Sequence, residues 1–323
     1  MAKKSLASLV VLLMILPAAL ACGSSPSASD NAPIPPAANA VVKIQVDKLV
    51  NNPALKVAYG ELVKNHPDWA QTADDALNQV LSKTGLDLAN TYSALFFADI
   101  ESAGDANNMY AGVIVTGAFS QSTLIERLEE QTRQNLTTTE YKGLTVYMAA
   151  QDKYEIGLLS QSELVAGTAK AVRDTIDVRR GDQKALSGSV IDTLDRLGSA
   201  VITGAFAPPE AIRSQLGKEV PQQYSASLGA FQNIDAIGFS VDLPGLSVNA
   251  RVDARFTISS SVQDARDAIT GLISIGKGTT QDPNLKAILG NIQVTASGSW
   301  LSVRETMSAA EIASLVGFLQ PKE

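Results

Sequence analysis

Two alternating runs joined by Pro244-Gly245 restrict the fold more than any other feature of this chain. Ile237, Phe239, Val241 and Leu243 recur at every second position. After the Pro-Gly pair, Val248, Ala250, Val252, Ala254 and Phe256 alternate with Ser247, Asn249, Arg251, Asp253 and Arg255. Successive side chains of a strand point to opposite faces, so each run reads as a strand with one buried and one wet face. Pro-Gly chemistry between them marks a hairpin turn.

The same pattern recurs elsewhere. Leu144, Val146 and Met148 form a strand face after Lys142-Gly143, and Val294, Ala296, Gly298 and Trp300 form a late one. Helical stripes lie between. Asn52-Pro53 opens a helix carrying Leu55, Tyr59, Leu62 and Val63, and Ala73, Leu77, Val80 and Leu81 make the next, stopped at Gly85. Ser187 is expected to cap a helix with Ile191, Leu194 and Leu197 on its face; Val262, Ala265, Ile269, Leu272 and Ile273 mark another. Ser308 and Glu311 spell a capping box ahead of Ile312, Leu315, Val316 and Leu319. The fold class is α+β with a mainly antiparallel sheet. The order of elements suggests duplicated ferredoxin-like (βαββαβ-type) lobes, at about 41–198 and 199–323.

A short repeat favours duplication. Val113-Ile114-Val115-Thr116-Gly117-Ala118-Phe119 and Ala200-Val201-Ile202-Thr203-Gly204-Ala205-Phe206 share TGAF at an offset of 87 residues, and Ile125 pairs with Ile212 at the same offset. Both copies read as strand, tight turn, helix.

Residues 41–180 carry Thr84-Gly85-Leu86-Asp87, Gly117-Ala118-Phe119, Tyr141-Lys142-Gly143 through Val146-Tyr147, Leu164-Val165-Ala166-Gly167 and Ile176-Asp177. This string resembles a widespread, uncharacterised family of bacterial envelope domains patterned TGLD, GxF, YxGxxVY and LVxG. The resemblance implies a fold and a location, but no activity. Its motif residues look architectural, with glycines at turns and aromatics at strand ends.

The amino terminus specifies an address. Lys3 and Lys4 precede an uncharged stretch, Ser5 to Ala21, with an apolar heart from Leu9 to Leu16, Pro17 and then small residues. That layout is a secretory leader, residues 1–21, too short and interrupted for a comfortable membrane span. Ala19-Leu20-Ala21-Cys22 resembles the lipobox of bacterial lipoproteins. The resemblance implies a diacylglyceryl thioether on the Cys22 sulfur, cleavage before it and acylation of the new amine. Two or more chains suffice for stable anchoring. Cys22 is the only cysteine, so intramolecular disulfides, a CxxC redox pair and thiolate zinc clusters are excluded. Residues 22–40 then form a Gly/Ser/Pro/Ala-rich linker that cannot bury enough apolar surface to order itself. Its reach is at most about 60 Å.

Without residues 1–21 the chain has 24 basic and 33 acidic side chains, a net charge of −9. Such a body repels nucleic acid and anionic head groups.

Recognisable catalytic sets are missing. His66 is the only histidine, so HExxH and histidine-rich metal sites are excluded. Gly271 to Thr279 nearly spells a phosphate-binding loop, but Gly278 stands where Ser or Thr must follow Lys277. It reads as a helix end entering a flexible loop, Gly276 to Asp282. The acids Asp74-Asp75, Glu129-Glu130 and Asp99/Glu101 read as solvated surface, and the loop Glu101 to Asn108 as turn chemistry. The expectation is an extracytoplasmic lipoprotein with no catalytic, metal or cofactor residues, lipidated at Cys22. Its partners are the membrane and an envelope protein or apolar ligand; the role is a non-catalytic binding or scaffold module. A carrier of a lipid or other apolar ligand and an unrecognised hydrolase are the alternatives.

Overall fold

The computed structural model describes residues 32–53, 91–102, 108–132, 136–149, 153–215, 229–245, 247–308 and 311. The helices expected between Pro53 and Gly85, the segment after Glu311, Cys22, His66 and Asp74-Asp75 lie outside these residues. The chain divides into two compact units, Met1–Leu186 and Ser187–Glu323.

In the first unit the order is β1 (Ala40–Ile44), α1 (Val46–Asn51), β2 (Thr91–Asp99), β3 (Tyr110–Gly117), α2 (Gln121–Thr132), β4 (Thr137–Tyr141), β5 (Leu144–Ala149), β6 (Tyr154–Ser160), β7 (Glu163–Thr168) and α3 (Ala169–Arg180). The strands lie in the order β1-β2-β3-β7-β6-β5-β4, and each pairing is antiparallel. Leu124 and Leu128 of α2 pack on Val113, Val115 and Leu164, one face of the sheet. On the other face, α3 buries Ala171, Val172, Thr175 and Ile176. There Gly157 lets the helix close in: a Cβ on it would lie 3.2–3.3 Å from Val165, Ile176 and Val172. The β4–β5 hairpin turns through Lys142 (φ 50) and Gly143 (φ 75), the pair of positive φ values that matches strand twist.

The second unit runs α4 (Ser189–Leu197), β8 (Ile202–Phe206), α5 (Glu210–Gln215), a 3₁₀ turn (Ala230–Asn233), β9 (Ile234–Asp242), β10 (Ser247–Phe256), α6 (Ser260–Thr279), α7 (Pro283–Asn291), β11 (Gln293–Ser297) and β12 (Trp300–Ser308). Its strand order is β8-β9-β10-β12-β11, again antiparallel throughout. The expected hairpin is present: β9 pairs with β10 from Asn249↔Asp242 onward, and Gly245 sits in the turn at φ 64. On one face Ala254, Phe256 and Leu301 pack with Val262 and Ala265 of α6. Asp282 caps α7, its side chain accepting from the Asn284 and Leu285 amides. The capping box after β12 is real: Glu311 Oε2 accepts from the Ser308 amide at 2.7 Å, and Ser308 Oγ from the Glu311 amide at 3.3 Å.

Several expectations are corrected. The ferredoxin-like arrangement is not shown: among the described residues each unit has the element order βαββαβ, but the strands joined through the first helix, β1 and β2 or β8 and β9, pair directly, with no strand between them as a split βαβ requires. Instead, in each unit a hairpin is followed by helix and then by strands whose last member returns beside the second hairpin strand: β7 beside β3, β12 beside β10. The unit boundary falls at Leu186/Ser187, not 198, because α4 packs on β8, β9 and β10. The cap of α4 is Gly188 (φ 90), not Ser187, and its buried face is Val190, Thr193 and Leu197. The late strand is a hairpin with Gly298 in its turn, and α6 continues past Gly276 to Thr279. Ile212 is half exposed, so it is no counterpart of a core position.

Asp47, in the first turn of α1, is buried, and among the described residues neither carboxylate oxygen has a hydrogen-bond partner of good geometry. Burial raises its pKa above the usual carboxylate value. A folded pKa above the unfolded one means this group lowers stability as pH rises from about 4 through the folded value. Asp47→Asn is therefore expected to raise stability at pH 7 by about 1 kcal/mol and to change it little at pH 4. Thermal melts of both proteins at the two pH values check this.

Candidate functional site

The face of the second sheet opposite α6 was expected to be the wet one. It holds instead a buried acid. Asp253 is fully buried, while its neighbour Val252, expected in the core, is 44% exposed. The inversion has a steric origin. Gly238, paired with Asp253 across the hairpin, has no side chain, and α4 settles onto it: a Cβ there would meet Thr193 Cγ2 at 2.4 Å and Leu197 Cδ1 at 2.8 Å. The helix thus seals this face and brings Arg196 against Asp253.

A buried carboxylate survives only if it is paired and hydrogen-bonded. Asp253 Oδ2 accepts from Arg196 Nε at 2.9 Å and from Arg251 Nη2; Oδ1 accepts from Arg251 Nε at 2.8 Å and Ser302 Oγ at 2.6 Å. Burial alone would raise its pKa, but the bonds from Arg251 and Ser302 and the charges of Arg251 and Arg196 hold it below the ordinary value. Trp300 covers the ensemble, its ring centroid 4.7 Å from the Arg196 guanidinium. The first unit contains a similar arrangement: buried Glu155 bonds Arg173 of α3 through Nη2 at 2.6 Å, and that guanidinium lies 5.5 Å from the Tyr141 ring.

Beside the Asp253 cluster opens a cleft of about 770 Å³, within the usual range for small-molecule sites. Its wall includes Leu197, Ser199 and Ala200 at the end of α4 and the Gly290–Gln293 turn. Its floor is two cross-strand rows: Asp242, Asn249 and Thr306, then Ser240, Arg251 and Arg304. Thr306 Oγ1 donates to Asn249 Oδ1 at 2.9 Å. Arg251 is committed to Asp253. Arg304 is exposed, and among the described residues its one hydrogen bond is Nε to Ser302 Oγ at 3.3 Å. The Asp242 carboxylate has no hydrogen bond or ion pair with a described residue. Glu305, between Arg304 and Thr306, also lines the cleft. Both its oxygens are buried without partners among the described residues, and burial, then the Glu311 charge, raise its pKa.

No family model matches the sequence, and no curated protein matches it. Among solved structures the chain is similar to TP0453 in three crystal forms. Form III gives a TM-score of 0.45 at 12% identity over 88% of this chain and 98% of that one. Form IV gives 0.45 at 12% over 87% and 96%. Form I gives 0.43 at 11% over 91% and 99%. Likeness at this level carries no functional argument.

The residues singled out in the sequence have structural duties where they are described. Gly271 to Thr279 lies inside α6, so its glycines shape no phosphate loop. Asp99 Oδ1 accepts from Asn39 Nδ2 at 2.7 Å and from the Glu101 amide at 3.0 Å. Glu129 accepts from the Leu136 amide at 2.9 Å, and Glu130 pairs with Arg127. The family-like motif converges on itself: Tyr141 Oη donates to Asp177 at 3.0 Å and Lys142 Nζ lies 2.8 Å from it. Gly167 is not at a turn but inside β7. Among the described residues no three His, Cys, Asp or Glu side chains group as metal ligands, and no helix is long and apolar enough to cross a membrane. Sequence reasoning missed the Asp253 cluster and the cleft. The one available signal was three charges, Arg251, Asp253 and Arg255, on a strand face beside a glycine-bearing neighbour.

Proposed function

We propose that this protein is a lipid-anchored, extracytoplasmic binding module without catalytic activity. Acyl chains on Cys22 hold it to a membrane, the residues between Cys22 and Ala32 space the folded body from the bilayer (the expected linker to residue 40 is shortened, because Ile34 and Ala38 are buried and Asn39 bonds Asp99), and the cleft of the second unit takes a small polar ligand. The observation that carries the reading is the junction Ala19-Leu20-Ala21-Cys22 behind a charged and apolar leader, with no second cysteine in the chain. The two units, each a hairpin, helix and returning strand, are proposed copies of one ancestral unit. The non-catalytic part is supported by the engagement of Asp99, Glu155 and Asp253 in structural bonds. A carrier of apolar ligands needs a dry cavity, and a cleft floored by Arg251, Arg304, Asn249 and Asp242 is not one.

Cells grown with labelled palmitate test the anchor. Wild-type protein is expected to carry label, whereas Cys22→Ser is expected to carry none and to persist as the longer precursor, because no thiolate is present to take up the diacylglyceryl group. Unlabelled wild-type protein, or Cys22→Ser maturing to wild-type mass, contradicts the reading.

A further inference from the structure

Resting on the binding-module reading, we infer that the second-unit cleft binds a short zwitterion, such as a free peptide of about three residues. Its carboxylate lies on Arg304 and its ammonium at Asp242. The charges around the cleft are sorted into two kinds. Arg196 and Arg251 are consumed by Asp253, which is buried beneath them and ionised. Arg304 and Asp242 are left over; Glu305 also lines the cleft, but both its carboxylate oxygens are buried out of a ligand's reach. Arg304 and Asp242 each line the cleft, and neither forms an ion pair with a described residue. An arginine fork with four of its five N–H donors uncommitted is the side chain best shaped for a carboxylate.

The pairing register fixes where these two groups stand. Asp242 pairs with Asn249 and Asn249 with Thr306, while Arg304 lies two residues back along β12. Two strand spacings across and two residues along separate the Asp242 and Arg304 Cα atoms by roughly 12 Å, with both side chains on one face. An arginine side chain shortens that gap at one end. An extended chain advances about 3.3–3.6 Å per residue, so three residues fill what remains. Between the charged ends stand neutral groups suited to peptide amides. Among the described residues Asn249 Nδ2 donates to no acceptor, since Thr306 engages only Oδ1, and Ser240 supplies a hydroxyl. A simple dianion is disfavoured by Asp242 and a simple dication by Arg304, so charge selects for opposite signs at the two ends.

Full-length protein in detergent, titrated calorimetrically with trialanine, N-acetyl-trialanine and trialanine amide, tests this. Trialanine is expected to bind, and each blocked peptide to bind at least tenfold more weakly. Arg304→Gln is expected to weaken trialanine at least tenfold yet leave the amide unchanged. Asp242→Asn is expected to abolish discrimination against the acetylated peptide. Unchanged melting temperatures establish that both variants are folded. Absence of trialanine binding at about 10 mM, a concentration that reveals even millimolar affinity, overturns the inference. So does equal binding of all three peptides, or an Arg304→Gln affinity equal to wild type. If Cys22 carries lipid and trialanine does not bind, the ligand class is wrong and the anchor stands. If trialanine binds and Cys22 is bare, the reverse holds.

Discussion

Asp253→Ala is expected to destabilise the second unit by about 3 kcal/mol or more, the range for removing one partner of a buried ion pair. The carboxylate is fully buried and accepts four hydrogen bonds. Truncation leaves Ser302 Oγ without its acceptor and leaves Arg251, whose side chain is only 20% exposed, beside Arg196 with no anion between them. Asp253→Asn keeps the shape and one acceptor, so about half that loss is expected. The pH dependence follows from the sign of the shift. The folded pKa lies below the unfolded value of about 4, so this group stabilises above pH 4 and its contribution disappears as pH falls through the folded pKa. Denaturant titrations at pH 7 and pH 3 are expected to show a large difference between wild type and Asp253→Ala at the higher pH and a smaller one at the lower.

Gly167→Ala is the second large effect, in the first unit. A Cβ at Gly167 would stand 2.3 Å from the Ala111 carbonyl oxygen and 2.7 Å from Gly112 Cα. Both obstacles are backbone of β3, which is held by β2 on its other side. No rotamer change relieves such a clash; the strands must separate and lose ladder bonds. A loss of about 2–4 kcal/mol is expected. Gly157→Ala is the contrast. Its neighbours are the side-chain methyls of Val165, Ile176 and Val172 at 3.2–3.3 Å, and these can shift. A cost of about 1 kcal/mol is expected there. Chemical denaturation of the two variants checks the ranking; equal losses would show that β3 and β7 are not so closely packed.

These two sites show what the sequence could and could not convey. Period-two alternation located β9 and β10 and the hairpin between them, because turn chemistry and side-chain direction are local properties. The capping box at Ser308 and Glu311 was legible for the same reason. Burial was not. Alternation says which residues share a face, but a helix from elsewhere decides which face is covered. Here α4 covers the charged face, so Asp253 is buried and Val252 is not. Strand order was also hidden, since the return of β7 to β3 and of β12 to β10 depends on long-range pairing. TGAF shows the limit of local echoes. In the first copy it spans the end of β3 and the loop before α2; in the second it lies inside β8, which pairs with β9 and is not the hairpin strand that β3 is. The cleft was invisible because Asp242, Asn249, Ser240 and Arg304 come from three strands and meet only through their register.

Residence at a membrane surface is the claim on which the functional account stands, and intact-mass analysis of the protein extracted from membranes tests it most directly. The amino-terminal peptide is predicted to begin at residue 22 and to exceed its amino-acid mass by a diacylglyceryl group, with or without a further acyl chain. A peptide that begins at another residue, or one that begins at Cys22 with an unmodified thiol, would contradict the account.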